Sequence, residues 1–236
     1  MIKRALLLLA GCLGATAYAQ SFNIQYDVHA KGMDVGKNTL KIVEQHGTYH
    51  ARSVMHIKVL FFHDTIVETS KGLLKKGVYT PLSYQLYQTH KINFLATFHW
   101  QEKHVSVNAQ GKKASYPLVA GMQDNLSYRL GLANELTRKQ MAITYLSANA
   151  KTHAPQIVKT TVHFMPGGKV KCIFGTVNTI KAVTLNPVNH QTTTTWYAHH
   201  QHQNVAVKTL VTDQDGDTVA SVTLQTFQMG ASLKSS

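Results

Sequence analysis

Gly121-Met122-Gln123-Asp124-Asn125-Leu126-Ser127-Tyr128-Arg129-Leu130-Gly131-Leu132-Ala133-Asn134-Glu135-Leu136-Thr137-Arg138 is the one stretch with a helical signature in a chain that otherwise alternates apolar and polar residues. Asp124 or Asn125 suits an N-cap, because a short side-chain oxygen accepts from the free amides of the first turn. Leu126, Leu130, Ala133 and Leu136 recur every three or four residues and make one apolar stripe. Thr137, Arg138 and Lys139 close the segment, with two cations at the negative end of the helix dipole. A solitary helix with one apolar stripe must lay it on something, and the rest of the sequence offers only sheet.

Before this segment, Phe22, Ile24, Tyr26 and Val28 alternate with polar residues, which predicts a half-buried strand. Gly32 and Gly36 then mark a turn or bulge, where a missing Cβ permits positive φ. Leu40 and Ile42 carry the alternation on, and Tyr49, Ala51, Ser53, Met55 and Ile57 share a face. Further strands are predicted over 65–74, 82–88, 91–100 and 104–108. After the helix, strands are predicted over 142–148, 157–165, 169–174, 177–185, 192–198, 205–212 and 218–227. Pro166-Gly167-Gly168 reads as a turn and Asp215-Gly216 as a type I′ hairpin. No repeat or composition shift marks a boundary, so residues 20–228 read as one domain with a tail at 229–236. The fold class expected is mainly β: a single antiparallel, strongly curved sheet, a half-barrel with one helix packed on it or plugging it.

Met1–Ala19 has the anatomy of a secretory signal: Lys3 and Arg4, an apolar run, then Ala17-Tyr18-Ala19 before Gln20. The run is shorter than the roughly 20 residues that a membrane-spanning helix needs. Leu9-Ala10-Gly11-Cys12 offers a second reading, a lipoprotein anchored at Cys12. Both readings export the chain, and the first places it in the periplasm. Cleavage before Gln20 leaves Cys172 as the only cysteine, so the fold must stand without a disulfide. Without Lys3 and Arg4, 22 basic side chains face 11 acidic ones, a balance of +11. That charge suits an anionic envelope surface. It is scattered and forms no dense basic tract, so nucleic acid is not an expected partner.

Four segments resemble the DUF3108 family of exported bacterial proteins. They are Tyr26 to Gly36, a strand running into Gly-x-x-x-Gly; Glu68-Thr69-Ser70-Lys71-Gly72; Gly121 to Ser127 at the helix start; and Trp196 ahead of the last hairpin. The resemblance spans nearly the whole chain after the signal. It implies an antiparallel half-barrel similar to the carriers that ferry lipoproteins or lipids across the periplasm, and it brings no catalytic residue set. Gly32, Gly36, Gln123, Asp124 and Ser127 fall in these segments as structural positions.

Nothing in the residues themselves points to catalysis. There is no Gly-x-Ser-x-Gly, and Ser127 reads as a helix-start residue. The acids available for glycoside cleavage are chiefly Asp34, Asp64, Glu68, Asp124 and Glu135. Asp64 and Glu68 share a strand face about 13 Å apart, too far for either glycosidase geometry. His200 and His202 share a strand face and are weak metal candidates, needing a third ligand such as His190. Asp213, Asp215 and Asp217 lack the distant Glu of a calcium loop. No metal or cofactor is expected. Phe94, Phe98, Trp100, Tyr128 and Trp196 could line an apolar cavity between sheet and helix, or could simply fill a core. The expected function is a non-enzymatic carrier or chaperone for a lipid or other amphiphile. The alternatives are an envelope scaffold working through protein partners, with a filled core, and an envelope-polymer hydrolase.

Overall fold

The computed structural model describes residues 19–89, 92–148 and 154–230. The leader up to Tyr18 and the tail from Ala231 lie outside the described residues, while Met229 and Gly230 extend the last strand.

Short turns join the first eight strands: β1 (Gln20–Ala30), β2 (Met33–Gln45), β3 (Thr48–Val59), β4 (Phe62–Lys75), β5 (Val78–Gln88), β6 (Ile92–His99), β7 (His104–Ala109) and β8 (Lys112–Pro117). A two-residue strand, β9 (Gln123–Asp124), then leads into α1 (Asn125–Leu132). Six strands complete the chain: β10 (Gln140–Ala148), β11 (Pro155–Cys172), β12 (Gly175–Leu185), β13 (Thr192–His200), β14 (Gln203–Thr212) and β15 (Thr218–Gly230). All fifteen belong to one open sheet, ordered β8-β7-β6-β5-β4-β3-β2-β1-β15-β14-β13-β12-β11-β10-β9. β1 pairs with β15, so the two ends of the domain meet mid-sheet and the two arms run outward from there. Every described pairing is antiparallel except β9 on β10.

The alternation sets which side chains are buried. Phe22, Ile24, Tyr26 and Val28 of β1 are all buried, as are Tyr49, Ala51 and Ser53 of β3. All but Val28 and Ser53 belong to a large cluster that continues through Tyr84, Phe94, Phe98, Val105 and Leu126. A smaller cluster gathers Leu136, Ile143, Tyr145, Val158, Val162, Phe164 and Tyr197. The helix stands between them. Leu126 and Leu130 pack on the first cluster, and Tyr128, Leu132 and Ala133 on the second.

The sequence reading needs four corrections. The helix stops at Leu132, well short of Arg138. Beyond it the amides of Asn134 and Glu135 return to the carbonyls of Gly131 and Leu132, three residues back, which tightens the chain out of α geometry. Asn134 then donates to the Gly77 carbonyl at 2.8 Å, and Asn204 donates to the Ala133 carbonyl at 2.7 Å. Pro166-Gly167-Gly168 is a bulge inside one 18-residue strand, β11, and the true turn lies at Ile173-Phe174. A Cβ at Gly167 would collide with Thr179 and Trp196, so glycine lets the strand pass. At 213–217 only Gly216 has positive φ, so the loop is not type I′. Asp213 shapes it by accepting from the amides of Asp215 and Asp217. Finally, β8 and β9 had no clear apolar alternation to announce them.

Candidate functional site

The helix is held by side chains from a strand more than fifty residues earlier. Asp124 is its N-cap and is completely buried; one carboxylate oxygen accepts from the amides of Leu126 at 2.8 Å and Ser127 at 2.7 Å. The other accepts from the Ser70 hydroxyl at 2.6 Å, and Ser70 is in turn 2.8 Å from the Tyr49 hydroxyl. Ser127 completes a reciprocal capping box through the Asp124 amide, at 3.0 Å. Burial lifts the Asp124 carboxyl to about 6, against the opposing pull of these donors.

Two residues before Ser70, Glu68 meets the helix a second time. Its carboxylate accepts from Tyr84 at 2.8 Å, from Asn125 at 2.6 Å and from the Arg129 guanidinium. Burial pushes Glu68 upward, but Arg129, Asn125 and Tyr84 outweigh it and hold the carboxyl below its usual range. Gln123 adds a bond to the Tyr79 carbonyl at 3.0 Å. Glu68-Thr69-Ser70 and Asp124 to Arg129 are therefore two halves of one joint.

On the other side of α1 lies a cavity of about 230 Å³. Its walls come from β1, β2, β3, β5, β12, β13, β14, β15 and the helix, drawing on both apolar clusters. Phe22, Ile24, Leu40, Ile42, Leu130 and Phe227 make the apolar part. Polar groups face it from Tyr26, Asn38, Tyr197 and the threonines of β12 to β14. Arg129 is the only cation among its described walls. Glu44 is the only carboxylate there; burial raises its pKa, and it accepts from the Tyr79 hydroxyl at 2.5 Å.

Of the five aromatic residues that the sequence nominates as ligand-binding, Tyr128 lines this cavity, stacked on Tyr145 with ring centroids 4.4 Å apart. The other four do not. Phe94 and Phe98 are buried in the first cluster, where Trp100 stacks on Phe98 and donates to the Pro81 carbonyl at 2.7 Å. Trp196 lies beside Gly167 with the Lys208 ammonium 5.4 Å over its ring. Gly32 forms the β1–β2 turn, and Gly36 sits at φ 150° where a Cβ would strike the His56 carbonyl. His200 stacks on Phe174 at 3.8 Å, while His199 rather than His200 approaches His202. His190 is at the opposite end of β13, so the three histidines do not converge. No cluster of three metal-ligating side chains occurs among the described residues. Cys172 is half-buried at the edge of the first cluster. Arg129, Tyr26 and Tyr197 were missed as site residues; the one available signal was an arginine set between leucines on the helix.

The profile of the DUF3108 family, described as a protein of unknown function, matches residues 25–223. The chain belongs to the DUF3108 family. No curated protein matches it in sequence. Among solved structures, this DUF3108 chain is similar to a β-barrel-like protein of the DUF1849 family from Brucella abortus. The TM-score is 0.56 at 9% identity, over 91% of this chain and 98% of that one. At that identity the likeness speaks for the fold alone, an open barrel-like antiparallel architecture. A DUF1329 family protein from Desulfovibrio piger aligns over 93% of this chain and 89% of its own, at 7% identity and a TM-score of 0.24, which carries no argument.

Proposed function

We propose that this DUF3108 protein is a non-enzymatic periplasmic carrier that holds a hydrophobic or amphiphilic molecule inside a strongly curved half-barrel. The observation that carries the proposal is the cavity itself. Its volume of about 230 Å³ exceeds the ~150 Å³ of an apolar cavity that admits benzene, and its walls are mostly apolar with a few polar groups. Curvature is supported by the reach of the helix. Eight residues of α-helix span about 12 Å. Yet α1 touches β4 and β5 on one arm and β10 on the other, ten strand steps beyond β5. Ten steps in a flat sheet would cover nearly 50 Å at about 4.8 Å each.

Export is supported by the signal-like Met1–Ala19, and contact with an anionic envelope surface by the basic balance. The scaffold alternative finds less support: a cavity counts against a filled core, and the edge strand β8 carries Lys112, Lys113 and Pro117, residues that discourage strand addition. The hydrolase alternative finds two of its acids, Glu68 and Asp124, already committed to holding the helix.

The test is native mass spectrometry on protein purified gently from its own envelope, compared with the denatured mass. A co-purifying amphiphile is expected, and it should be lost when Leu40→Phe and Val222→Phe fill the cavity. An empty wild-type protein that also fails to take up an apolar fluorescent probe such as N-phenylnaphthylamine ends the carrier reading.

A further inference from the structure

Polarity is not spread evenly round the cavity; it is graded along the strands. Tyr26 pairs across the sheet with Asn38, Ile24 with Leu40, and Phe22 with Ile42. Moving from Tyr26 to Phe22, about 13 Å along β1, the wall passes from hydrogen-bonding groups to hydrocarbon, and beyond Ile42 it closes on Glu44, which is occupied by the Tyr79 hydroxyl. Phe227 lies against Phe22 at the apolar end, with ring centroids 6.1 Å apart.

The polar end consists of donors. Arg129 spends its Nε on the Asn125 carbonyl at 2.8 Å and one Nη2 proton on Glu68. A guanidinium has five N–H groups. The remaining three meet no acceptor among the described residues; Arg129 lines the cavity, and 39% of its side-chain surface stays accessible. Glu68 stays ionised and pairs with the guanidinium, but Tyr84 and Asn125 occupy part of its acceptor capacity and it takes only one Arg129 N–H. Tyr26 and Tyr197 are buried cavity residues whose hydroxyls bond to no described residue. Burial drives both phenols upward, with the nearby Arg129 charge only partly opposing it, so both remain protonated donors.

We propose that the cavity takes an amphiphile with one acidic head, a carboxylate or a phosphate, seated on Arg129, Tyr26 and Tyr197 with its chain toward Phe22 and Phe227. A forked guanidinium with two flanking hydroxyls matches either oxyanion. The proposal rests on the carrier reading and adds an orientation to it: the charged end is held inside, not left at the rim.

The experiment measures binding of four probes with ten-carbon chains to the full mature protein by calorimetry: decanoate, decyl phosphate, decanol and decyltrimethylammonium. Decanoate or decyl phosphate should bind at least tenfold more tightly than decanol, and the tighter of the two identifies the head. Tyr26→Phe with Tyr197→Phe keeps the ring volume. It should weaken the acidic probe at least tenfold and leave decanol unchanged. Arg129→Lys keeps a charge beside Glu68 but loses the fork, and it should weaken the same probe. Equal binding of decanol and decanoate, unmoved by the phenylalanine variants, overturns the acidic head while leaving the carrier intact. Tightest binding of decyltrimethylammonium overturns it in favour of the Glu44 end. Failure of all four probes removes the carrier reading as well.

Discussion

Replacing Asp124 by asparagine separates the two things this carboxylate does. The carboxamide oxygen can still accept from the amides of Leu126 and Ser127, and asparagine caps helices as well as aspartate does. The amide nitrogen then faces Ser70, whose hydroxyl can turn to accept from it and donate to Tyr49. What disappears is a buried ionisation. Burial raises the folded-state pKa from 3.8 to about 6, so the fold favours the protonated carboxyl. The stability this group supplies is complete below about pH 3.8 and is lost as pH rises through 6. The rise corresponds to about 3 kcal/mol at ~1.4 kcal/mol per pH unit. Urea unfolding, followed by circular dichroism and tryptophan fluorescence, should therefore show Asp124→Asn gaining on the wild type by about 2–3 kcal/mol between about pH 4 and pH 7.5. Asp124→Ala should instead lose about 2–4 kcal/mol at either pH, from the cap and from polar groups left without a partner. A flat difference for Asp124→Asn, or one that falls with pH, would mean that the three donors outweigh burial and would refute the reasoning.

Two further outcomes follow from the same geometry. Gly36→Ala should cost at least about 2–3 kcal/mol in urea unfolding, because a Cβ there meets the His56 carbonyl at a positive φ; a cost under about 0.5 kcal/mol would show that the bulge simply relaxes. Glu68→Ala strips Tyr84, Asn125 and Arg129 of their shared acceptor, and breaking a buried pair costs about 3–5 kcal/mol. Since Arg129 stays 39% accessible, about 2–3 kcal/mol is the expected loss, and an unchanged midpoint would show that the joint contributes nothing.

Most strands were legible because they bury one face: the Phe22-Ile24-Tyr26-Val28 alternation reappears residue for residue as the buried side of β1. The helix was overextended because its apolar spacing continues to Leu136, and nothing local reports that Asn134 is tied to Gly77 or Ala133 to Asn204. Proline and two glycines at 166–168 carry turn chemistry, yet β12 pairs straight past them, and the tight fit at Gly167 depends on Thr179 and Trp196. The cavity wall was less legible for a related reason. Phe94, Phe98, Trp100 and Trp196 were nominated on apolarity, which a packed core and a cavity wall satisfy equally. Only the pairing of β1 with β15 and the seating of the helix decide which apolar residues meet a neighbour and which meet a space.

That seating bears directly on the carrier proposal. A helix with apolar groups on both sides would ordinarily settle as close against a sheet as its side chains allow. Here Ser70 and Glu68 grip its first turn and its Arg129, and Gln123 fixes the approach, all from β4 and β5 on one arm of the sheet. Asn204 holds its far end from β14 on the other arm. Polar bonds at these points set the height of the helix above β1, β2 and β15 by hydrogen-bond geometry, which tolerates little compression, and the cavity is the space left beneath. A carrier needs such a device, because an apolar space free to collapse would close whenever it emptied. The same joint places the guanidinium at one end of that space. Loosening it should therefore disturb cavity and acidic-head recognition together, whereas filling the far end at Leu40 should remove capacity and leave the joint standing.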